Sequence, residues 1–169
     1  LPRVLMAGIL GGALALSGFL LQTFFSNPIA GPYVLGISSG AKMMVALAMI
    51  IFLKYYTLVS SYILIIAAFI GSMLSIGFIL LLARKIRNMA TLLVGGIMIG
   101  YICSAVTDFV VTFAEDSDIV NLHGWSQGSF SGMSWSNVKV AALMVGITLI
   151  LTFFLSKPIG AYQLGEMYA

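Results

Sequence analysis

The stretch Leu58–Arg87, LVSSYILIIAAFIGSMLSIGFILLLARKIR, decides the fold. It carries no charge from Leu58 to Ala83 and then places Arg84, Lys85 and Arg87 together. A helix needs about 20 predominantly apolar residues to cross a hydrocarbon core of about 30 Å, so the charge-free part reads as a membrane span. Short loops rich in Lys and Arg stay on the cytoplasmic side, so the basic cluster sets the direction of that span.

Four further apolar runs flank it: Val4 to Phe25, about Met43 to Leu53, about Met89 to Ala114 and about Val138 to Leu155. The run from Met43 is short unless its helix reaches back through Gly36-Ile37-Ser38-Ser39-Gly40. Composition agrees with a lipid solvent, since 61% of the 169 residues are apolar, 8% are charged and the mean hydropathy is +1.12. A water-soluble fold of this size needs far more polar surface. The net charge of +3 is scattered and has no aromatic-interleaved basic stripe, which excludes a nucleic-acid partner. The lone Cys103 has no partner for a disulfide or a thiolate metal site and reads as a small buried side chain. The expected fold class is all-α, a polytopic transmembrane helical bundle of about five spans in the lipid bilayer, forming one membrane domain over residues 1–169.

Alternating the spans from a cytoplasmic Arg84–Arg87 loop puts Arg3 outside and the Asn27–Gly36 loop inside. Lys54-Tyr55-Tyr56 and Glu115–Asp118 then fall outside, and Lys157 with the C-terminal tail inside. Tyr55, Tyr56, Trp125, Trp135 and Tyr162 lie near the expected interfaces, where amphipathic rings prefer to sit. The opening Leu1-Pro2-Arg3 lacks the pattern of a signal peptide. With no initiator Met and an abrupt end at Gly165-Glu166-Met167-Tyr168-Ala169, the chain reads as a fragment.

Three irregular features punctuate the runs. Asn27-Pro28-Ile29-Ala30-Gly31-Pro32-Tyr33-Val34-Leu35-Gly36 cannot continue a helix cleanly, and such backbone near a membrane is tolerated only against protein or a water-filled cavity. From Ile119 to Ser134, glycines at 124, 128 and 132 predict a short re-entrant or interfacial helix packed through a smooth glycine face. Gly8/Gly12, Ala7/Gly11/Ala15 and Gly96/Gly100 predict close packing of the first and fourth spans in the same way.

Gly36–Lys42 lacks the spacing and order of a phosphate-binding loop, so any ATP-driven activity belongs to another polypeptide. Ser38 and Ser39 either offer hydroxyls at the cytoplasmic mouth of a pathway or simply cap the second helix. Asp108, inside the fourth span, faces a cavity shared with Ser104 or lies close enough to the interface to be hydrated. His123 has no companion ligands at helical spacing, and no nucleophile, base and orienting group come together. The expectation is therefore no metal site, no cofactor and no enzymatic catalysis. Arg3 either snorkels among headgroups or meets an acidic partner outside the membrane.

More specific marks run in order along the chain: Leu1-Pro2-Arg3-Val4-Leu5, Leu16-Ser17-Gly18, Leu21-Gln22, Asn27–Pro32, Leu35-Gly36 and Ser38-Ser39-Gly40-Ala41. They continue with Leu92-Leu93-Val94-Gly95-Gly96, Trp125, Gly128–Gly132, Trp135, Lys157-Pro158-Ile159 and Leu164-Gly165-Glu166. Together they resemble the permease family of iron-siderophore, haem and vitamin B12 ABC importers. The resemblance implies a ten-helix permease of the bacterial inner membrane, of which this chain holds the second through sixth helices and a short extra helix after the fifth. It implies a homodimer with a second permease copy, cytoplasmic ATP-binding subunits, and an extracytoplasmic substrate-binding protein that docks on Arg3. Alternating access would pass cargo by the inner gate of Ser38, Ser39 and Asn88 and by Ser104 and Asp108, and Gly165 and Glu166 would couple to the ATPase. Two departures stand out: Lys42 replaces a more usual small or apolar residue, and Asn88-Met89 replaces small hydroxylic residues of the vitamin B12 members, which argues against that cargo. The alternatives left open are an ion-gradient-driven transporter and an assembly subunit with no pathway.

Overall fold

The computed structural model describes residues 1–53, 61–86 and 88–164. Lys54, Tyr55, Tyr56, Arg87, Gly165 and Glu166 lie outside the described residues. Among the described residues seven helices follow one another: α1 Pro2–Phe25, α2 Ile37–Leu53, α3 Ser61–Ala83, α4 Met89–Val111, α5 Asp116–Gln127, α6 Trp135–Phe154 and α7 Ser156–Leu164. The fold is all-α. Helices α1, α3, α4 and α6 are long and apolar enough to cross a membrane. Helix α2 does begin at Ile37, yet its 17 residues span only about 25 Å at 1.5 Å per residue, short of the hydrocarbon thickness.

The apolar residues are not gathered on one protein-facing stripe. Along α3, Ile65, Ile66, Phe69, Ile70, Met73, Leu74, Phe78, Leu80 and Leu81 are all exposed. A surface of that kind would aggregate in water and is at home in lipid.

The helices gather into two compact units, one of residues 30–128 and one of residues 1–29 with 129–169. In the first, α2 packs on α3 and α4, and α5 closes over the far end of α2. Its core joins Val45, Ala46, Ala48 and Met49 of α2 to Ala67 of α3 and Leu122 of α5. Two glycine contacts fix α2. A Cβ on Gly71 would lie 2.1 Å from the Gly40 carbonyl oxygen, so α2 and α3 touch backbone to backbone. Gly36 has φ +71°, a left-handed conformation that glycine adopts without steric cost. A Cβ there would lie 2.6 Å from the Gly100 nitrogen in the middle of α4. Gly96 receives Leu35 in the same way, its own Cβ position being 2.9 Å from Leu35 Cδ2. The irregular segment before α2 is therefore held by protein, with Ala30 and Leu35 buried.

These contacts set the register. Gly40 meets Gly71, whereas Ala48 shares a core with Ala67, so α2 runs antiparallel to α3. It starts beside the middle of α4 and ends in the core that Val111, the last residue of α4, also packs against, so it runs parallel to α4.

In the second unit, α1 and α6 lie alongside each other. An Arg3 amino group donates a 2.7 Å hydrogen bond to the Ser131 carbonyl just before α6. At the other end, Phe24 stacks on Tyr162 with centroids 6.2 Å apart, and Gln163 donates to Thr23 Oγ1 at 3.1 Å. Helices α1 and α6 are therefore parallel, with α7 folded against the end of α1. Helix α7 has no counterpart among the expected spans; Pro158 sits in its first turn, where proline is tolerated because the N–H groups there have no helical partner.

Two expectations need correction. The helix expected over Ile119–Ser134 is observed, but it starts at Asp116 and stops at Gln127. Gly128, with φ +73°, ends it, so Gly128 and Gly132 are not on its surface. No described atom approaches the Cβ positions of Gly124, Gly128 or Gly132 within 4 Å, so the glycine-face packing is not formed among the described residues. Of the other small-residue stripes, Gly96/Gly100 makes its contacts, whereas Gly8, Gly11 and Gly12 of α1 meet nothing within 4 Å.

Candidate functional site

Because α2 starts partway along α4, its first turns do not pack fully and a hydroxyl-lined opening remains. A cavity of about 510 Å³ is bordered by Tyr33, Ser38, Ser39, Lys42, Ser104 and Trp125, with Ala41 and Ser126 completing it. A neighbouring cavity of about 320 Å³ shares Tyr33, Ser39 and Ser104 and extends along Ile97, Gly100 and Tyr101 of α4. All these residues belong to the unit of residues 30–128. A third opening, about 180 Å³ beside Ser75, Ile99 and Cys103, is almost wholly apolar, and Cys103 is buried there as a free thiol.

The residues singled out from sequence separate into distinct groups. Ser38, Ser39 and Ser104 come together at the paired cavities. Asn88 does not join them. It stands about 18 Å back along α4 from Gly100, at 1.5 Å per residue over twelve residues. Its Oδ1 accepts from the Ala90 N–H at 2.9 Å and the Thr91 N–H at 3.3 Å, so it caps α4. Asn88 therefore lines neither of the cavities that Ser38 and Ser39 border. Asn88→Ala is expected to cost about 1 kcal/mol through the lost cap, read as faster hydrogen exchange at Ala90 and Thr91.

Asp108 lies one turn beyond Ser104 on the same helical face, but it is exposed and does not line either cavity. Arg3 is exposed and holds the start of α1 to the turn before α6. His123 shares a 2.8 Å hydrogen bond with Gln127 on the surface of α5. Trp125 turns inward, packing on the α2 core and walling the cavity. Tyr33, Lys42, Trp125 and Ser126 were not singled out as pathway residues. No local pattern joins Lys42 to Trp125; the register of α2 against α5 does.

The sequence profile of the FecCD transport family matches residues 1–169. The chain belongs to the FecCD transport family. It is 36% identical over 167 residues to the hemin transport system permease protein HmuU of Yersinia pestis, covering 98% of this chain and 50% of that protein. It is 33% identical over 171 residues to the vitamin B12 import system permease protein BtuC of Klebsiella pneumoniae, covering 100% of this chain and 50% of that one. The chain spans about half the length of the relatives it matches. Its fold is similar to that of a solved structure described as a metal-chelate type ABC transporter in an inward-facing conformation, with TM-score 0.83 at 24% identity, over 98% of this chain and 52% of that one. With its apolar helices, this FecCD chain is a multi-pass protein of a bacterial cell membrane.

Proposed function

We propose that the chain supplies part of the translocation pathway of an ATP-driven importer for ferric siderophores, haem or corrinoid-type ligands, working by alternating access. The carrying observation is Gly36, just before the start of α2, pressed on the middle of α4 beside cavities lined by Ser39 and Ser104. Irregular backbone and hydroxyls at membrane depth have a physical reason where they border a route for a polar solute. The FecCD relatives named for haem and vitamin B12 support the cargo class.

In this reading Arg84 and Lys85 are cytoplasmic, α2 begins about halfway across the bilayer and runs outward, and Arg3 faces the delivering binding protein. ATP hydrolysis lies on a separate subunit, a second permease copy completes the pathway, and Gly165 and Glu166 lie toward the ATPase.

The test is uptake of labelled haem, a ferric trihydroxamate and cyanocobalamin by the full-length complex, beside a complex whose ATPase subunit is inactive. Uptake of one ligand class that stops with the inactive ATPase is the expected result. Uptake that continues, driven by an ion gradient, would overturn it. A cysteine introduced at Lys85 should react with a membrane-impermeant maleimide only after the cytoplasmic face is opened; labelling in intact cells would reverse the orientation.

A further inference from the structure

The larger cavity holds one cationic group whose role the importer reading leaves unexplained. Lys42 lies in the second turn of α2, half-buried, and makes no hydrogen bond or ion pair among the described residues. The carboxylates of the same unit, Asp108, Glu115, Asp116 and Asp118, do not line the cavity. Its other hydroxyl-bearing walls are neutral: Tyr33 in the segment before α2, Ser38 and Ser39 on α2, Ser104 on α4 and Ser126 on α5. Ser38 and Ser39 sit in the first turn of α2, where helix N–H groups lend further positive potential.

A lysine within a membrane domain is costly unless it meets water or an anion. Placed among hydroxyls with no counter-charge, it gives the cavity a positive potential that a passing anion would complete. We infer that Lys42, set among Ser38, Ser39, Ser104 and Ser126 and beside Trp125, is an anion-recognition point selecting cargo with free carboxylates or other negatively charged groups. The inference rests on the importer reading and narrows it. Lys42 donates to the anion, the hydroxyls of Ser38, Ser39 and Ser104 turn to donate alongside it, and the Trp125 ring offers an apolar wall to the rest of the cargo, while the Ser126 hydroxyl donates to the His123 carbonyl at 2.9 Å. Charge-assisted hydrogen bonds are about twice as strong as neutral ones, so the preference falls on anionic over esterified or uncharged forms.

The test measures ATP-dependent uptake by the full-length importer with its own ATPase and binding protein. The probes are labelled haem, haem dimethyl ester, an anionic ferric tricatecholate, an uncharged ferric trihydroxamate and cyanocobalamin. Wild type is expected to take up an anionic probe in preference to the uncharged ones. K42Q should lower subsaturating uptake of that probe by about tenfold, and K42R should hold it close to wild type, as expected for a charge-assisted bond. Residual uptake of uncharged probes should not change in K42Q. A wild-type preference for an uncharged probe, K42Q uptake equal to wild type, or an equal fall for charged and uncharged probes would each overturn the inference and leave the importer standing; the last would mark Lys42 as a structural partner of another segment. Absence of ATP-dependent uptake of every probe would instead remove the importer reading and this inference with it.

Discussion

Gly71→Ala separates α2 from α3 and leaves the full-length permease poorly assembled. The added methyl carbon would stand 2.1 Å from the Gly40 carbonyl oxygen and 2.7 Å from its carbon, and neither atom can rotate aside as a side chain would. Relief requires the helices to part, which opens the packing of Val45, Ala48 and Met49 around Ala67. Overpacking in a well-fitted core costs about 1–3 kcal/mol, and a backbone-to-backbone clash belongs at the upper end. Gly77→Ala, in the same helix, is the control. Its Cβ position meets nothing within 4 Å, and alanine is favoured over glycine in a helix interior by up to about 1 kcal/mol. The two substitutions should therefore shift the thermal midpoint of the detergent-solubilised protein in opposite directions. Equal shifts would mean that α2 and α3 do not cross at Gly40 and Gly71.

The second large effect is on transport rather than assembly. Ser104→Leu is expected to abolish uptake in the full-length complex while the protein still assembles and its partner still hydrolyses ATP, because Ser104 borders both polar cavities and a branched apolar side chain would fill their shared wall. Asp108→Asn, one turn away on the exposed surface, should leave uptake near the wild-type level. Normal uptake by Ser104→Leu would show that cargo does not pass these cavities. Loss of uptake in Asp108→Asn alone would move the route to the next turn of α4.

The helices were legible because lipid imposes a simple demand: long charge-free runs ended by Arg84, by Glu115 or by Pro28 with Gly31. The start of α2 was legible only as a choice between about Met43 and the Gly36–Gly40 stretch, and the structure places it at Ile37. The depth of that start was not. It depends on Gly36 meeting Gly100, and glycine spacing alone does not say which stripe finds a partner. Gly96 and Gly100 do, while Gly8, Gly11 and Gly12 meet no described atom. A four-residue glycine period also failed at Gly128, where the residue ends α5 with a positive φ instead of continuing it. Asn88 carried a plain local signal, a capping side chain just before an apolar run, and its local role in α4 is the one the structure records. At the cavity, Ser38, Ser39 and Ser104 could be picked out as hydroxyls in apolar surroundings. Lys42, Trp125 and Ser126 joined them only through the crossing of α2 with α4 and α5.

The close meeting of Gly36 with Gly100 and of Gly40 with Gly71 also bears on heredity. Every missense change in a glycine codon adds a side chain, and at these crossings the added atoms fall on peptide groups that have nowhere to go. Much of the genetic vulnerability of this membrane region is thus concentrated in its smallest residues, whereas the bulky aliphatic ones facing lipid can exchange with one another freely.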